Sequence, residues 1–298
     1  MSLSIILSGA SGFTGSYVMR HLCSAGHRVT ALTGRSSQLS DGTFLSHPLI
    51  RSFSVDLSQP INLGKSFTAD AIVHAAARAP GCGVSAESLI KDNVCAARNI
   101  LALARSTGAR KLIFLSGMSV YGDVQDEVLN EQTPVHNPNT YGLTKLLCEQ
   151  LIADSGEVLA SISLRLPGII GPGSVRNWLT RSLNASLKGE DIRIFNPSSP
   201  FNNAVHVSDL SDFISALVTN VHWRGHEVVC LGADGDMPLV QVAHLLALGG
   251  GRGSKVIVEP APRISFRICS DYAKEKFKYA PMEIEQMLSR FVQENLAL

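Results

Sequence analysis

The sequence predicts an α/β fold, a doubly wound parallel sheet with a smaller C-terminal lobe, and three observations carry that expectation. Residues 4–15 read as a short buried strand through Ile5, Ile6 and Leu7 that runs into Gly9, Gly12 and Gly15, after which a helical pattern occupies 13–25. Short apolar runs then alternate with helical segments up to residue 166, the pattern of strand–helix–strand units. A Pro/Gly-rich hinge at Pro167–Gly173 follows. It divides the chain into a first domain, 1–166, and 167–298, mainly the lobe, with some later segments returning to the first domain.

Composition bounds the class of function. With 298 residues, 45% hydrophobic and 17% charged, the chain can bury a full core. A net charge of +1 gives no general attraction to nucleic acid or to an anionic membrane, so the expected partner is a small molecule. Cys23, Cys82, Cys95, Cys148, Cys230 and Cys269 form no CxxC pair and join no histidine cluster, so no metal site is expected and the thiols suit the cytoplasm. The N-terminal apolar run is too short for a signal peptide, and no stretch is long enough to span a bilayer.

The glycines after the first strand set the first chemical expectation. They serve a tight turn, the close approach of a phosphate to the backbone, and a helix that packs on its strand without a Cβ between them. Amides at the helix N-terminus then face a pyrophosphate. A flexible loop gives the same letters, but the position at the first strand of a β–α–β succession points to a dinucleotide. The second strand, His27–Thr33, continues into Gly34, Arg35, Ser36 and Ser37, with no carboxylate for the adenosine ribose hydroxyls. Arg35 and the serines fit a 2′-phosphate and favour NADP over NAD; the other reading is a solvated loop with a serine capping the next helix.

Leu49–Val55 is a third strand ending in Asp56 and Leu57, where a carboxylate accepts from an adenine amino group or caps the next segment. Ala71–His74 is the fourth, followed by Ala75, Ala76 and Ala77, against which a flat cofactor can lie; alanine runs are also ordinary core. The helical stretch 85–106 carries Asn93, read first as a buried residue locking this helix to the neighbouring strand and second as a site residue. Lys111–Leu115, the fifth strand, leads into Ser116, Gly117, Met118, Ser119, Val120, Tyr121 and Gly122. After the turn-rich 136–139 come Tyr141 and Lys145. Their i, i+4 spacing puts them on one helix face, where an ammonium lowers the phenol's pKa and lets it move a proton near neutral pH. Ser161–Leu166 is the sixth strand. Beyond the hinge a helix runs to Lys188, then a strand at Ile192–Phe195, a helix at Leu239–Leu248, a loop at Gly249–Ser254 and a terminal amphipathic helix from Pro281.

Together these residues resemble the extended branch of the short-chain dehydrogenase/reductases, particularly the nucleotide-sugar epimerases, dehydratases and reductases. The resemblance covers nearly the whole chain. It rests on GASGFTG at 9–15, Asp56 with Leu57, HAAA at 74–77, Asn93, SVYG at 119–122, Tyr141 with Lys145, LRLPGIIGPG at 164–173 and AVHVSDL at 204–210. It implies a Rossmann-type cofactor domain with a substrate-binding lobe, and Tyr141 and Lys145 as catalytic residues. Cofactor contacts are implied at Gly9, Ser11, Gly12, Phe13, Thr14, Gly15, His74, Ser116, Pro167 and the other positions named above, and substrate contacts at Arg78, Met118 and Ser119.

Two departures from the family pattern matter. The hydroxyl that assists the tyrosine lies four residues before the VYG tyrosine, and here that residue is Gly117. Alternation along an extended strand end puts Gly117 and Ser119 on one face and Ser116 on the other, so Ser119 is expected to supply the hydroxyl, with a water as the alternative. Met118 and Ser119 also replace the Asp and Glu of the 4,6-dehydratases, so dehydration is not expected. The second departure is Asn202, four residues before His206, where the family frequently has a diphosphate-binding arginine. Arg263 and Arg267 are expected to compensate, and Arg176 and Asn177 either meet a phosphate or lie in a solvated loop. The expected activity is an NAD(P)-dependent oxidoreductase or epimerase acting on a nucleotide-linked or related sugar. The alternatives are a reductase of a non-sugar ketone or aldehyde and a non-catalytic NAD(P)-binding regulator; a homodimer is left open.

Overall fold

The computed structural model describes residues 2–34, 47–64, 66–156, 158–260 and 264–297. Arg35, Ser36, Ser37 and Arg263 lie outside the described residues.

The expected sheet is present. Its strands are β1 (Ser4–Ser8), β2 (Arg28–Thr33), β3 (Ile50–Ser54), β4 (Ala71–His74), β5 (Lys111–Leu115), β6 (Ala160–Arg165) and β7 (His226–Cys230), in the order β7-β6-β5-β4-β1-β2-β3. From β3 to β6 every neighbouring pair is parallel; Ile6, for example, lies between Thr30 and Ile72. The central strands are buried almost end to end, as a sheet covered on both faces requires, which is why they read as unbroken apolar runs. The chain moves outward from β1 to β3 and returns to β4. The C-terminal ends of β1 and β4 therefore flank the switch point, where doubly wound sheets bind ligands.

Two compact units make up the chain. The first comprises Met1–Asp123, Val135–Arg165 and Ser211–Val229, the second Val124–Pro134, Leu166–Leu210 and Cys230–Leu298. In the first unit, helix α1 (Phe13–Ser24) follows β1. A helical turn at Ala86–Leu89 and a π-helical turn at Ile90–Val94 lead into α2 (Cys95–Thr107), and α3 (Thr140–Ala153) carries the Tyr/Lys pair. Ala97, Ile100 and Ala104 of α2 pack with Ile72, Leu112 and Ile152 in one core. The return segment supplies β7, a seventh strand beyond the six read from the sequence. It also supplies most of α5 (Val207–Thr219), the helix after α4 (Trp178–Leu187) of the second unit. Lys111 Nζ donates to the carbonyls of Leu217, Val218 and Val221, placing a cation where helix carbonyls are left over.

The second unit has its own core. Leu179 and Leu183 of α4, Val242 and Leu246 of α6 (Leu239–Gly250), and Leu288 and Phe291 of the terminal helix (Ile284–Leu296) meet there. Short strand pairs surround it: 168–170 with 204–206, 192–194 with 256–258, and 128–129 with 267–268. The expected loop from Gly249 begins later, because α6 continues through Gly250. A Cβ at Gly249 would lie 2.6 Å from Val292 Cγ1 and one at Gly250 1.9 Å from Ser186 Oγ, so these glycines are packing positions, not a break. No described helix is long and apolar enough to cross a membrane.

Candidate active site

At the end of β1 the three glycines divide by cause. Gly9 takes φ +74°, and a Cβ there would lie 2.7 Å from the Ala76 nitrogen; a Cβ at Gly15 would lie 2.1 Å from the Gly9 carbonyl oxygen. Those two are dictated by the fold itself. Among the described residues, a Cβ on Gly12 would meet within 4 Å only that same oxygen, at 3.3 Å. Its missing side chain keeps space clear outside the turn. Gly12 is the N-cap of α1, and no side chain caps the helix there. A helix start left this way offers its first-turn amides to an anion, so the turn fits a dinucleotide's pyrophosphate. Ser11, Phe13 and Thr14 are half-buried around it.

His74 lies beneath this turn and not at its surface. It is 1% exposed, its Nδ1 is 2.6 Å from Ser8 Oγ, and it stacks on Phe114 at 5.5 Å. Burial, with the Lys145 ammonium adding to it, pushes its pKa down to about 3, so the ring is neutral. Ala75 is tied to the Ser8 carbonyl at 3.2 Å, and the backbone emerges to exposure at Ala77. Asp56, exposed beyond β3, accepts at Oδ1 from the Ser58 N–H at 3.0 Å and from the Ser58 hydroxyl at 2.7 Å, closing a local turn. The Leu57 carbonyl accepts from Asn99 Nδ2 at 2.8 Å.

Asn93 sits in the π-helical turn, 3% exposed. Its Oδ1 accepts from the Arg78 N–H at 2.7 Å, while Nδ2 donates to the Arg78 carbonyl at 3.1 Å and to Thr144 Oγ1 at 3.2 Å. The Thr144 hydroxyl donates in turn to the Tyr141 carbonyl at 2.8 Å. This locks the loop after β4 to the helix bearing the tyrosine. The Arg78 guanidinium pairs with Asp92.

After β5 the two-residue alternation stops sooner than expected. Gly117 is extended, φ −162°, but Met118–Tyr121 is a single 3₁₀ turn, so Ser119 is placed by that turn and not by strand alternation. The Ser119 backbone lies against α3 so closely that a Cβ at Gly142 would be 2.0 Å from the Ser119 carbonyl oxygen. Ser119 Oγ is buried and has no hydrogen-bond partner. An unsatisfied buried hydroxyl costs about 1–3 kcal/mol, and such a group in a native chain calls for an explanation. Ser116, by contrast, is buried with its hydroxyl donated to Glu149 Oε1.

Tyr141, half-buried, opens α3, which Asn139 caps by accepting from the Gly142 N–H at 2.9 Å. Lys145 is 3% exposed, donates from Nζ to the Leu115 carbonyl at 2.7 Å, and lies 5.8 Å from the Tyr141 ring centroid. Burial lowers its pKa to about 8, with Cys148 and Glu149 opposing, so at neutral pH it stays mostly charged beside the phenol.

In the second unit the expected substrate residues divide. Asn202 is buried, with Oδ1 accepting from the Ile268 N–H and Nδ2 donating to the Ile268 carbonyl, each at 2.7 Å. Asn177 caps α4 by accepting from the Thr180 N–H at 2.8 Å and donates to the Ile169 carbonyl at 2.9 Å. Both amides are engaged within the unit. Arg176 is exposed, and Pro167, Met118 of the first unit and Arg267 are half-buried. The residues that sequence reasoning passed over are Thr144, which joins Asn93 to the Tyr141 carbonyl, and the Glu149–Arg165 pair, which joins the helix of the Tyr/Lys pair to Ser116 and Tyr121. The available signal was a carboxylate at Glu149, one turn beyond Lys145 on the same face. Among the described residues no group of three or more His, Cys, Asp or Glu could hold a metal ion.

A doubly wound sheet, a glycine turn at its switch point and a Tyr/Lys pair beside it define the short-chain dehydrogenase/reductase class. The chain belongs to the NAD dependent epimerase/dehydratase family, whose profile matches residues 5–232. UDP-glucose 4-epimerase 4 from Oryza sativa subsp. japonica is 32% identical over 51% of this chain and 45% of its own. UDP-glucuronic acid decarboxylase 1 from Arabidopsis thaliana is 25% identical over 89% and 60%. The chain spans about half the length of the first curated relatives it matches. Among solved structures, the Bordetella bronchiseptica enzyme WbmG in complex with NAD shares the fold with TM-score 0.83, 15% identity and coverage of 98% and 94%. The UDP-Glc/GlcNAc 4-epimerase of Campylobacter jejuni does so with TM-score 0.82, 19% identity and full coverage of both chains.

Proposed function

We propose that this chain is an NAD(P)-dependent oxidoreductase or epimerase acting on a nucleotide-linked or related sugar. The observation that carries the reading is the half-buried Tyr141 over the buried ammonium of Lys145, on a helix against which the turn bearing the unpartnered Ser119 hydroxyl packs through its backbone. The relatives named for UDP-sugars support the substrate class. A bound nicotinamide supplies the hydride acceptor and donor. The chain's own part is to hold the pyrophosphate at Gly9–Gly15, move a proton at Tyr141 Oη, and donate a hydrogen bond from Ser119 Oγ to the reacting oxygen. The second unit serves as the substrate lobe, with Arg267 at the diphosphate. NADP(H) is favoured over NAD(H), because Arg35 and no acid follows β2. Leu143 and Leu147, exposed one turn apart on α3, support a homodimer, and six free cysteines support the cytoplasm.

A reductase of a non-sugar carbonyl is the second reading, favoured by Asn202, whose side chain is taken up by Ile268 where the family frequently has an arginine. A thermal-shift screen with UDP-hexoses in the presence of NADP(H) or NAD(H), followed by hydride-transfer assays on the hits, separates the two. Stabilisation and turnover with a nucleotide sugar is expected. Binding of cofactor alone, with turnover of simple ketones, establishes the second reading instead.

A further inference from the structure

The mechanism leaves unused a buried ion pair directly behind the reacting groups. Glu149 and Arg165 are 2% and 7% exposed, and Arg165 Nη2 donates to Glu149 Oε2 at 2.7 Å, with Nε within 3.2 Å of Oε1. Replacing a buried pair of this kind by apolar side chains is often neutral or stabilising, so stability alone gives no reason for it. Its remaining contacts do. Ser116 donates its hydroxyl to Glu149 Oε1, and Arg165 Nη1 donates to Tyr121 Oη at 2.8 Å, with the guanidinium 4.8 Å from the Tyr121 ring centroid. Ser116 and Tyr121 are the residues on either side of Gly117–Val120, the segment that carries Ser119. Glu149 also stands on α3, one turn beyond Lys145 and two beyond Tyr141. The carboxylate and its arginine therefore grip both ends of the turn from the helix that holds the proton-transfer pair.

We propose that Glu149 and Arg165 are positioning residues that fix the Ser116–Tyr121 turn in register with Tyr141 and Lys145, so that the Ser119 hydroxyl meets the reacting oxygen. The kinetic part of this inference rests on the proposed hydride-transfer reading; the structural part does not. Neighbouring contacts show why a second anchor is needed. Lys145 Nζ donates to the Leu115 carbonyl, upstream of the turn, the His136 N–H donates to the Tyr121 carbonyl at 2.9 Å, and the Ser119 carbonyl packs on Gly142; all three hold the backbone and leave the side-chain directions unset. The Tyr121 side chain is held in direction through Arg165.

Tyr121→Phe is the sparing test, since it keeps the buried ring and both charges and removes one acceptor. Hydrogen–deuterium exchange of the peptide spanning 116–122 reads the anchoring without any substrate, and kcat against the cofactor and substrate KM reads its use. The expected result is exchange in 116–122 faster by about tenfold or more with α2 unchanged, and kcat down by about tenfold with the cofactor KM unmoved. That loss shrinks in a Ser119→Ala background, because the displaced hydroxyl is already gone. Exchange equal to wild type in a folded Tyr121→Phe protein overturns the proposal, and so does faster exchange with unchanged kcat, which reduces the pair to a structural brace. If wild type turns over no nucleotide sugar or carbonyl while the exchange effect is present, the functional reading fails and the anchoring stands.

Discussion

Ser119 and Lys145 each carry a cost of burial in the folded chain, and both sit where proton transfer is proposed. Because Ser119 Oγ is buried without a partner, Ser119→Ala removes an unsatisfied group and should leave the melting temperature unchanged or raise it, while turnover drops by ~10². Tyr141→Phe should lower turnover by ~10² to 10⁴ with the fold intact. A Ser119→Ala protein that is less stable yet fully active contradicts the assignment. Lys145 adds a pH signature. Its pKa is about 8 folded against an ordinary 10.5, so between those values the unfolded chain binds the extra proton and stability rises with pH, by up to about 1.4 kcal/mol per unit. Below pH 8 the full cost of roughly 3 kcal/mol remains. Cys23 and Cys148, pushed up to about 11 by burial, act oppositely from pH 9. The measurement is therefore the difference in unfolding free energy between wild type and Lys145→Met: wild type should gain on the variant from pH 8 to pH 10, and a flat difference refutes the buried ammonium.

Among elements, the glycine turn makes a prediction that sequence could not, since the three glycines look alike as letters. Gly15→Ala drives a methyl to 2.1 Å from the Gly9 carbonyl and should destabilise the fold by about 1–3 kcal/mol or more. Gly12→Ala meets only a 3.3 Å contact, so it should melt near wild type yet lose cofactor affinity by tenfold or more, read by thermal shift without ligand and fluorescence titration with it. The reverse order of effects removes the pyrophosphate from this turn. Strands, glycine turn and YxxxK helix were legible because apolar runs, period and i, i+4 spacing are local properties. The 3₁₀ turn at Met118–Tyr121 was not, because it depends on how Gly122 admits the backbone of His136–Pro138 and Gly142 admits that of Ser119, contacts between segments apart in the chain. The family resemblance carried by HAAA implies His74 as a cofactor neighbour, and its burial on Ser8 and Phe114 is visible only once β1, β4 and β5 are paired.

At the scale of the whole molecule, the proline and glycines of Pro167–Gly173 and the return of some later segments to the first domain were read from the sequence, but which segments cross was not, because no local pattern records which core a helix joins. Residues 211–229 return to the first unit, and 124–134 leave it to pair Val128–Leu129 with Arg267–Ile268. A cut at the apparent boundary therefore gives two incomplete pieces. Fragment 1–166 lacks β7, which leaves β6 an open sheet edge. It also loses the three carbonyls that hold Lys111 Nζ and the Trp223 indole that donates to the Ser161 carbonyl at 2.9 Å. Lys111, whose pKa burial lowers in the full chain, is then left without these acceptors. The expectation is that 1–166 expresses as aggregate or as a species without cooperative unfolding, and that supplying residues 211–230 in the same polypeptide through a flexible linker restores a cooperative transition and cofactor binding. Circular dichroism melts and cofactor titration of the two proteins decide it. A 1–166 fragment that melts cooperatively close to the full chain and binds cofactor equally well shows that the first unit is complete at the hinge and that the returning segment is an ornament on a finished sheet.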